Sequence, residues 1–223
     1  MRVVALVGLK YAGKSTVAVH MTSSGQAAHE LAFAAPLKAG LAATLNIDVT
    51  ALHDPSRKET LETTGVAGEH HTYRTLMTTF GDAIRSCFGQ DIFVNVMRNR
   101  LLELEAELPK HAVVVISDAR MCNEVTMLRD EFNAIVMRVV RQDIGAAVVQ
   151  NSSEQWTRDS ADDQNQHSTE TEQLRIEADV TIVNGGSKKQ LFKILPIALT
   201  TARKTMIKRR EQQRRIKKQR RQR

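Results

Sequence analysis

Short aliphatic runs alternate with segments of helical periodicity along most of this 223-residue chain. The clearest run lies within residues 111–118, where Val113–Ile116 is continuously aliphatic, as in a strand buried on both faces of a parallel sheet. Similar runs predict strands at residues 3–7, 134–140 and 177–183. Apolar positions at helical spacing predict helices at residues 14–21, 36–45, 73–88, 91–104, 123–132 and 188–204. This alternation predicts a three-layer α/β fold, in which helices cover both faces of a mainly parallel sheet.

Two polar stretches interrupt the alternation, and a basic stretch follows it. Residues 48–72 predict a loop-rich insertion between helices, and residues 142–166, which lack periodicity, predict a mobile segment. Residues 203–223 contain twelve Lys or Arg residues and one acidic residue, Glu211, so residues 1–202 carry a net charge of −4 within the total of +7. Because runs of like charge repel each other, we expect one folded domain at 1–202 and a disordered tail at 203–223.

Composition narrows the class of protein. Aromatic residues make up only 4% of the chain, so aliphatic side chains and Met must build the core. No apolar run approaches the roughly 18–20 residues that a membrane helix needs. Residues 1–8 are too short for a signal peptide and run directly into a glycine-rich loop. With Cys87 and Cys122 at no disulfide or metal-ligand spacing, these features predict a soluble protein of the cytoplasm without membrane contact.

The glycine-rich loop carries the most specific motif. Gly8, Gly13, Lys14 and Ser15 satisfy the P-loop pattern G-x-x-x-x-G-K-[ST], between a predicted strand and a predicted helix. Glycines let several backbone N–H groups point inward, and the helix N-terminus adds positive potential, so the loop can hold anionic oxygens. Lys14 is expected at the β- and γ-phosphates of ATP and the Ser15 hydroxyl at Mg²⁺. The predicted nucleotide-binding residues are Gly8, Lys10, Ala12, Gly13, Lys14, Ser15, Thr16 and, from a later strand end, Arg141.

The alternative is a chance match in a loop, which the flanking strand and helix disfavour. The motif does not choose between kinases, GTPases, motors and ligases, which share it.

A carboxylate ends the strand predicted at residues 111–118. Ligands of doubly wound sheets lie at the carboxyl ends of the strands, where Asp118 can hold Mg²⁺ and orient an acceptor oxygen. Arg120 lies two residues further on, and its planar guanidinium suits a phosphoryl group. The alternative hypothesis is structural: Asp118 caps a turn and Arg120 pairs with Glu124.

Four regions of the sequence, together with the loop, resemble the phage-type deoxynucleoside monophosphate kinases. They lie at residues 31–38 (LAFAAPLK), 73–81 (YRTLMTTFG) with 91–94 (DIFV), 117–124 (SDARMCNE), and 167–170 (HSTE) with 179–187 (DVTIVNGGS). Each is short, but their order is shared and together they span residues 1 to about 200. Phe93 stands where the family usually has Trp, and Asp82 where it often has Thr.

The resemblance implies a P-loop kinase that uses ATP and Mg²⁺ to convert deoxynucleoside monophosphates into diphosphates, and it points to a viral origin. It implies that Lys38 and Arg74 bind the acceptor's phosphate and that an acceptor-binding insertion lies at about 48–90. The transfer centre would lie near Lys14, Asp118 and Arg120. By the same resemblance, His167 and Glu170 would close over the site, together with a lid at about 142–166.

Other functions stay open at the level of sequence. Animal-type phosphomevalonate kinases share a similar D-x-R segment and P-loop, so a non-nucleotide phosphate is a second candidate acceptor. The basic tail suggests a nucleic-acid-stimulated NTPase, and a catalytically inactive binding module is a further alternative. For the tail, the interpretations are contact with a polyanion such as nucleic acid, a nuclear localisation signal, or a solubilising end. The oligomeric state also stays open at the level of sequence, with a homodimer as the candidate assembly.

Overall fold

The computed structural model describes residues 1–54, 57, 61–63, 70–142, 147–151, 172–173 and 175–221. Along the chain the elements are β1 (Arg2–Val7), α1 (Lys14–Ser23), β2 (His29–Leu31), α2 (Ala34–Leu45), α3 (Val49–His53), β3 (Leu61–Thr63), β4 (His70–Thr72), α4 (Tyr73–Phe88), α5 (Ile92–Glu107), β5 (Val113–Ile116), α6 (Cys122–Phe132), β6 (Ile135–Arg141), β7 (Ala147–Asn151), β8 (Val180–Asn184) and α7 (Lys188–Arg221). They form two compact units, Met1–Leu31 with Leu104–Arg223, and Ala32–Glu103.

The larger unit contains a six-stranded sheet in the order β2-β5-β1-β6-β8-β7. The first five strands in that order are parallel, and β7 pairs antiparallel with β8. The chain moves from β1 through α1 to β2 in one direction, and from β5 through α6 to β6 in the other. Because such connections are right-handed, α1 and α6 cover opposite faces of the sheet. The predicted α/β class with a mainly parallel sheet is confirmed.

The core of this unit explains why the central strands are aliphatic throughout. Val4 and Leu6 of β1 belong to a buried cluster on the face that also receives α1 and α7. The alternate residues of β1, Val3, Ala5 and Val7, are equally buried. Each successive side chain of a strand points to the opposite face, so both faces of β1 are covered and neither tolerates polar residues.

The smaller unit is built around α2, α3 and α4. Leu41 and Ala42 of α2 pack with Ala51, Leu52 and Tyr73 in a second buried cluster. The loop-rich prediction for residues 48–72 is wrong in part, because α3 and the antiparallel hairpin of β3 and β4 lie within it. The local reason for α3 is a helix cap: the Asp48 carboxylate accepts a 2.9 Å hydrogen bond from the Thr50 N–H.

The mobile segment predicted at residues 142–166 also needs correction. Its Ala147–Asn151 part is the edge strand β7, in register with β8 from Ala147 opposite Asn184 to Asn151 opposite Val180. Residues 143–146 and 152–171 lie outside the described residues, so the predicted lid stays a prediction.

The C-terminal tail differs most from the prediction. Its backbone is helical up to Arg221 as part of the 34-residue helix α7, whereas the sequence predicted a helix end near 204 and a disordered tail at 203–223. Ala202 is fully buried and Met206 packs against the main core, so the helix is still held by the sheet where the basic run begins. In the part of the chain that the structure describes, no helix is both long enough and apolar enough to cross a membrane.

A buried carboxylate fixes the basic part of α7 to the sheet. Asp179 is 1% exposed and accepts a 2.8 Å hydrogen bond from the Val136 N–H through Oδ2. Its Oδ1 accepts a hydrogen bond from the Arg209 guanidinium and lies 4.0 Å from Nη2 of Arg129. Burial raises the pKa of Asp179, and the Val136 N–H and the two guanidinium groups act against this rise. Arg209, which is hydrogen-bonded to the carboxylate, and Arg129 nearby therefore make an ionised Asp179 tolerable in the core.

We predict that Arg209→Met lowers the free energy of unfolding by about 3 kcal/mol, because it leaves a buried charge without its partner. The double variant Arg209→Met/Asp179→Asn should recover part of this loss in urea denaturation at pH 7. Arg203→Gln, an exposed change on the same helix, is the control and should cost less than about 0.5 kcal/mol.

The deficit should depend on pH with a defined sign. A carboxyl whose folded pKa is raised keeps its proton in the folded state after the unfolded chain has lost it, so its contribution to stability falls as pH rises above the ordinary value of 3.8. Removing Arg209 raises the folded pKa of Asp179 further, so the deficit should be smallest near pH 4 and grow towards pH 7. A deficit that does not change between these values would contradict this account of the Asp179–Arg209 pair.

Candidate phosphate-binding site

Residues 8–13 form the turn between β1 and α1 and take backbone conformations that few side chains allow. Gly8 has φ 137° and Gly13 has φ 106°, and Tyr11, a residue that is 69% exposed, lies in the left-handed region at φ 64°. The Nζ of Lys10 lies 4.7 Å from the centre of that ring. A left-handed non-glycine residue costs about 1–2 kcal/mol, so the rest of the loop must hold Tyr11 in place.

The start of the loop is pressed against β6. A Cβ atom built on Gly8 would overlap the carbonyl oxygen of Val139 and lie 3.2 Å from its carbonyl carbon. Val139 is a fully buried residue in the middle of a strand, so its backbone cannot move aside. Position 8 therefore accepts only glycine for steric as well as conformational reasons.

The end of the loop is held by Asn184, the last residue of β8. Its Nδ2 donates a 3.0 Å hydrogen bond to the Ala12 carbonyl oxygen, and the same Nδ2 would lie 2.6 Å from a Cβ on Gly13. Asn184 is 6% exposed. In the sequence Asn184 stood out only as part of the resembling segment 179–187, although an amide side chain between an aliphatic strand and Gly185 was a visible signal of a fixed contact.

Lys14 begins α1 and turns its side chain back over the loop. Its Nζ donates hydrogen bonds to the carbonyl oxygens of Gly8 at 2.5 Å and Leu9 at 2.9 Å. The ammonium therefore lies at the mouth of the turn. Gly13, at the N-cap, has no side chain to cap the helix, and the first N–H groups of a helix have no intrahelical acceptor. Together the ammonium and the amides give the loop the chemistry of an anion site.

Ser15 and Thr16 complete the first turn of α1. The Ser15 side chain is exposed and Thr16 is half-buried. Both hydroxyl groups lie on the turn of the helix that is closest to the loop, and their roles in binding Mg²⁺ and nucleotide stay predictions.

Asp118 lies at the same edge of the sheet as the loop. β1 and β5 are parallel neighbours, with Ala5 opposite Ile116, so the register continued by two residues brings Asp118 opposite Val7. Neighbouring strands are about 4.8 Å apart, and Gly8 follows Val7 directly. The half-buried Asp118 carboxyl therefore belongs to the same sheet edge as the glycine-rich loop.

The turn after Asp118 is fixed by Glu124 rather than by Arg120. The buried Glu124 carboxylate accepts hydrogen bonds from the backbone N–H groups of Arg120 at 2.7 Å and Met121 at 3.0 Å. The predicted alternative, a pair between Arg120 and Glu124, therefore takes a backbone form, and the Arg120 side chain is exposed at the surface. An exposed guanidinium on a fixed backbone is suited to meeting a ligand from solution.

Arg141 also reaches this edge. It is the exposed last residue of β6, in register with Asn184 of β8. The carboxyl ends of β1, β5, β6 and β8 thus bring together the loop, Asp118, Arg141 and Asn184.

The predicted acceptor residues belong to the smaller unit. Lys38 lies on α2 with its Nζ 3.3 Å from Nδ1 of His53. Arg74 lies in the first turn of α4, whose cap is the Thr72 hydroxyl accepting a 3.1 Å hydrogen bond from the Thr75 N–H. His167 and Glu170 lie outside the described residues.

Metal ligation was predicted for Ser15 and Asp118. Among the described residues there is no group of three or more His, Cys, Asp and Glu side chains that could hold a metal ion. A hydroxyl and a carboxylate at one sheet edge are hard oxygen donors, which suit Mg²⁺ when phosphate oxygens and water supply the other ligands. The residues present therefore fit a Mg²⁺ that arrives with a nucleotide, and not a cage made by the protein alone.

Comparisons with protein-family models and with curated proteins found no match to this chain.

We predict that Gly8→Ala destabilises the protein by at least about 3 kcal/mol, since it adds a backbone clash to an unfavourable φ. Gly25→Ala is the matched control: Gly25 also has a positive φ, 72°, but its Cβ would meet no atom within 4 Å. The control should cost only about 1 kcal/mol, the price of the left-handed conformation. Equal losses for the two variants in urea denaturation would contradict the proposed packing of the loop against β6.

Proposed function

We propose that this protein transfers the γ-phosphoryl group of ATP to the phosphate of a deoxynucleoside monophosphate. The observation that carries the proposal is the juxtaposition at one sheet edge of the glycine-rich loop, with the Lys14 ammonium at its mouth, and Asp118 of the neighbouring strand. A P-loop alone is shared by many NTP-using proteins, and the deoxynucleotide acceptor rests on the sequence resemblance.

The triphosphate end of ATP would bind to the loop. The backbone N–H groups at the start of α1 point along the helix axis toward the loop, where the helix dipole favours negative charge. Lys14 can exchange its hydrogen bonds to the Gly8 and Leu9 carbonyl groups for bonds to phosphate oxygens, because the ammonium is already at the mouth of the loop. Asn184 Nδ2 donates a hydrogen bond to the Ala12 carbonyl oxygen, so this acceptor at the end of the loop already has a partner.

Asp118 would orient the acceptor's attacking oxygen and, with Ser15, hold Mg²⁺. A bound Mg²⁺ would supply positive charge at the phosphate oxygens during transfer. The attacking atom is a phosphate oxyanion that is already deprotonated at neutral pH, so no strong general base is needed. Positioning and charge stabilisation are then the main contributions of the protein.

Two anions must approach each other for this reaction, and the cations at the sheet edge would offset their repulsion. Lys14, Arg120 and Arg141 are the candidates in the larger unit, and the latter two are exposed to solvent. Exclusion of water, which would otherwise hydrolyse ATP, is assigned to the part of the predicted lid that follows β7, residues 152–166, with His167 and Glu170.

We expect Lys14→Ala to lower kcat/KM at least 100-fold, about 2.7 kcal/mol, because it removes a cation from the transferring group. Asp118→Asn should lower kcat more than it raises KM for ATP, since Asp118 acts on the transfer step. Lys110→Ala is the control: Lys110 is exposed and precedes β5, whereas Asp118 follows it. The measurement is coupled release of ADP with ATP and Mg²⁺, and an unchanged kcat for Asp118→Asn would contradict the role of this carboxyl.

The acceptor is tested with a panel of deoxynucleoside monophosphates, ribonucleoside monophosphates and phosphomevalonate. We expect turnover with at least one deoxynucleoside monophosphate and little ADP release without an acceptor. Lys38→Ala and Arg74→Ala should each raise KM for the acceptor about 10-fold or more, the loss of one charge-assisted hydrogen bond, and leave KM for ATP unchanged. Arg100→Ala, an exposed change on α5, is the control.

Absence of turnover with every deoxynucleoside monophosphate would overturn the proposal. Turnover with phosphomevalonate alone would assign the second candidate acceptor. ADP release that needs no acceptor and rises with added nucleic acid would assign a nucleic-acid-stimulated NTPase.

A further inference from the structure

The C-terminal part of α7, residues 203–221, is named here the basic helix segment. It contains eleven Lys or Arg residues and one acidic residue, Glu211, so ten net positive charges lie along 19 helical residues. At a rise of about 1.5 Å per residue the segment is about 28 Å long. The body of the chain is mildly acidic, so this segment is the concentrated positive feature of the protein.

The sheet holds the near end of the segment. Met206 packs against the main core, and Arg209 is bonded to the buried Asp179 carboxylate. The exposed cations Arg203, Lys204, Lys208 and Arg215 therefore belong to a helix with a fixed origin in the larger unit. A basic stretch that served only solubility would require neither a helical conformation nor the contacts of Met206 and Arg209 with the rest of the larger unit.

Like charges recur at helical neighbours along the segment. Lys204 and Lys208, Arg210 and Arg214, and Lys217 and Arg221 are spaced at i and i+4. Each such pair destabilises a helix by about 0.2–0.5 kcal/mol in water. A polyanion bound along the segment would neutralise these charges and turn a repulsion that destabilises the helix into an attraction that stabilises it.

We propose that the basic helix segment binds the phosphate backbone of double-stranded DNA without sequence preference. The segment carries about one net positive charge per 2.8 Å of its length, and duplex DNA about one negative charge per 1.7 Å of its axis, so a duplex offers enough phosphate groups to pair with all of these cations. An α-helix with its side chains is about 10–12 Å across and the B-DNA major groove about 12 Å wide, so the part of the segment beyond Arg209 is narrow enough to lie between two phosphate backbones. The major groove of A-form RNA is too narrow for this arrangement.

The composition of the segment disfavours other polyanions. A helix that binds a lipid surface needs an apolar face, but the segment offers only Met206, Ile207 and Ile216, and Met206 already packs on the core. Single-stranded nucleic acid is held by stacking on aromatic rings, and residues 203–223 contain none. The proposal rests on charge and shape alone and does not depend on the proposed phosphoryl transfer.

The test is fluorescence anisotropy of the full-length protein with a labelled 30-base-pair duplex of arbitrary sequence, from 50 to 200 mM KCl. The test variant is Arg214→Gln/Arg215→Gln/Lys217→Gln, which keeps helix-forming side chains and removes three charges from the segment. The matched control is Lys188→Gln/Lys189→Gln/Lys193→Gln, which removes three exposed charges near the other end of the same helix. Far-UV circular dichroism melts establish that both variants fold.

We expect duplex binding at micromolar Kd at 50 mM salt, weakening steeply with salt. The test variant should bind at least 10-fold more weakly, and the magnitude of its slope of log K against log salt should fall by about 2–3. The control should change the slope by less than about 0.5. The proposal is overturned by absence of duplex binding at 50 mM salt or by equal losses in both triple variants. It is equally overturned by affinity as high for an RNA duplex, for single-stranded DNA, for an acidic peptide or for phosphatidylserine vesicles.

Discussion

The close approach of Gly8 to the Val139 carbonyl group is the constraint on which the site depends. Since no side chain fits there, the chain leaves β1 tight against β6 and turns immediately. Asn184 then fixes the other end of the turn through the Ala12 carbonyl oxygen. The loop is held at both ends by strands of the sheet, so its amides and the Lys14 ammonium are positioned before any ligand binds. Such preorganisation reduces the cost of orienting charges during a reaction.

Strand order turns this local turn into a site. β1 lies between β5 and β6, and all three strands run parallel, so their carboxyl ends place Gly8, Asp118 and Arg141 at one edge. The buried Glu124 carboxylate accepts hydrogen bonds from the backbone of the turn after Asp118, and the Arg120 side chain is exposed. The first amides of α1, a carboxylate and two exposed arginines therefore lie at one sheet edge, and the proposal of phosphoryl transfer rests on this arrangement.

Local patterns predicted most of the elements, and long-range contacts account for the rest. The aliphatic run Val113–Ile116 and the loop motif were evident because strands buried on both faces and P-loops each have a strong local pattern. The strand β7 was missed since Ala147–Asn151 is short and lies in polar sequence, and its partner β8 is about 30 residues away. The helical tail was missed because Arg209 meets Asp179 across a similar separation. The role of Asn184 depends on a contact with Ala12, 172 residues earlier, which periodicity cannot reveal.

Hydrogen exchange of the backbone amides, followed by mass spectrometry with and without ATP and Mg²⁺, tests the central claim most directly. Phosphate oxygens bound by the loop amides would slow the exchange of those amides. The account predicts protection confined mainly to peptides that cover residues 8–17 and 117–121, and loss of this protection in Lys14→Ala. Binding of ATP with unchanged exchange in both peptides would contradict the account, since the nucleotide would then lie elsewhere on the molecule.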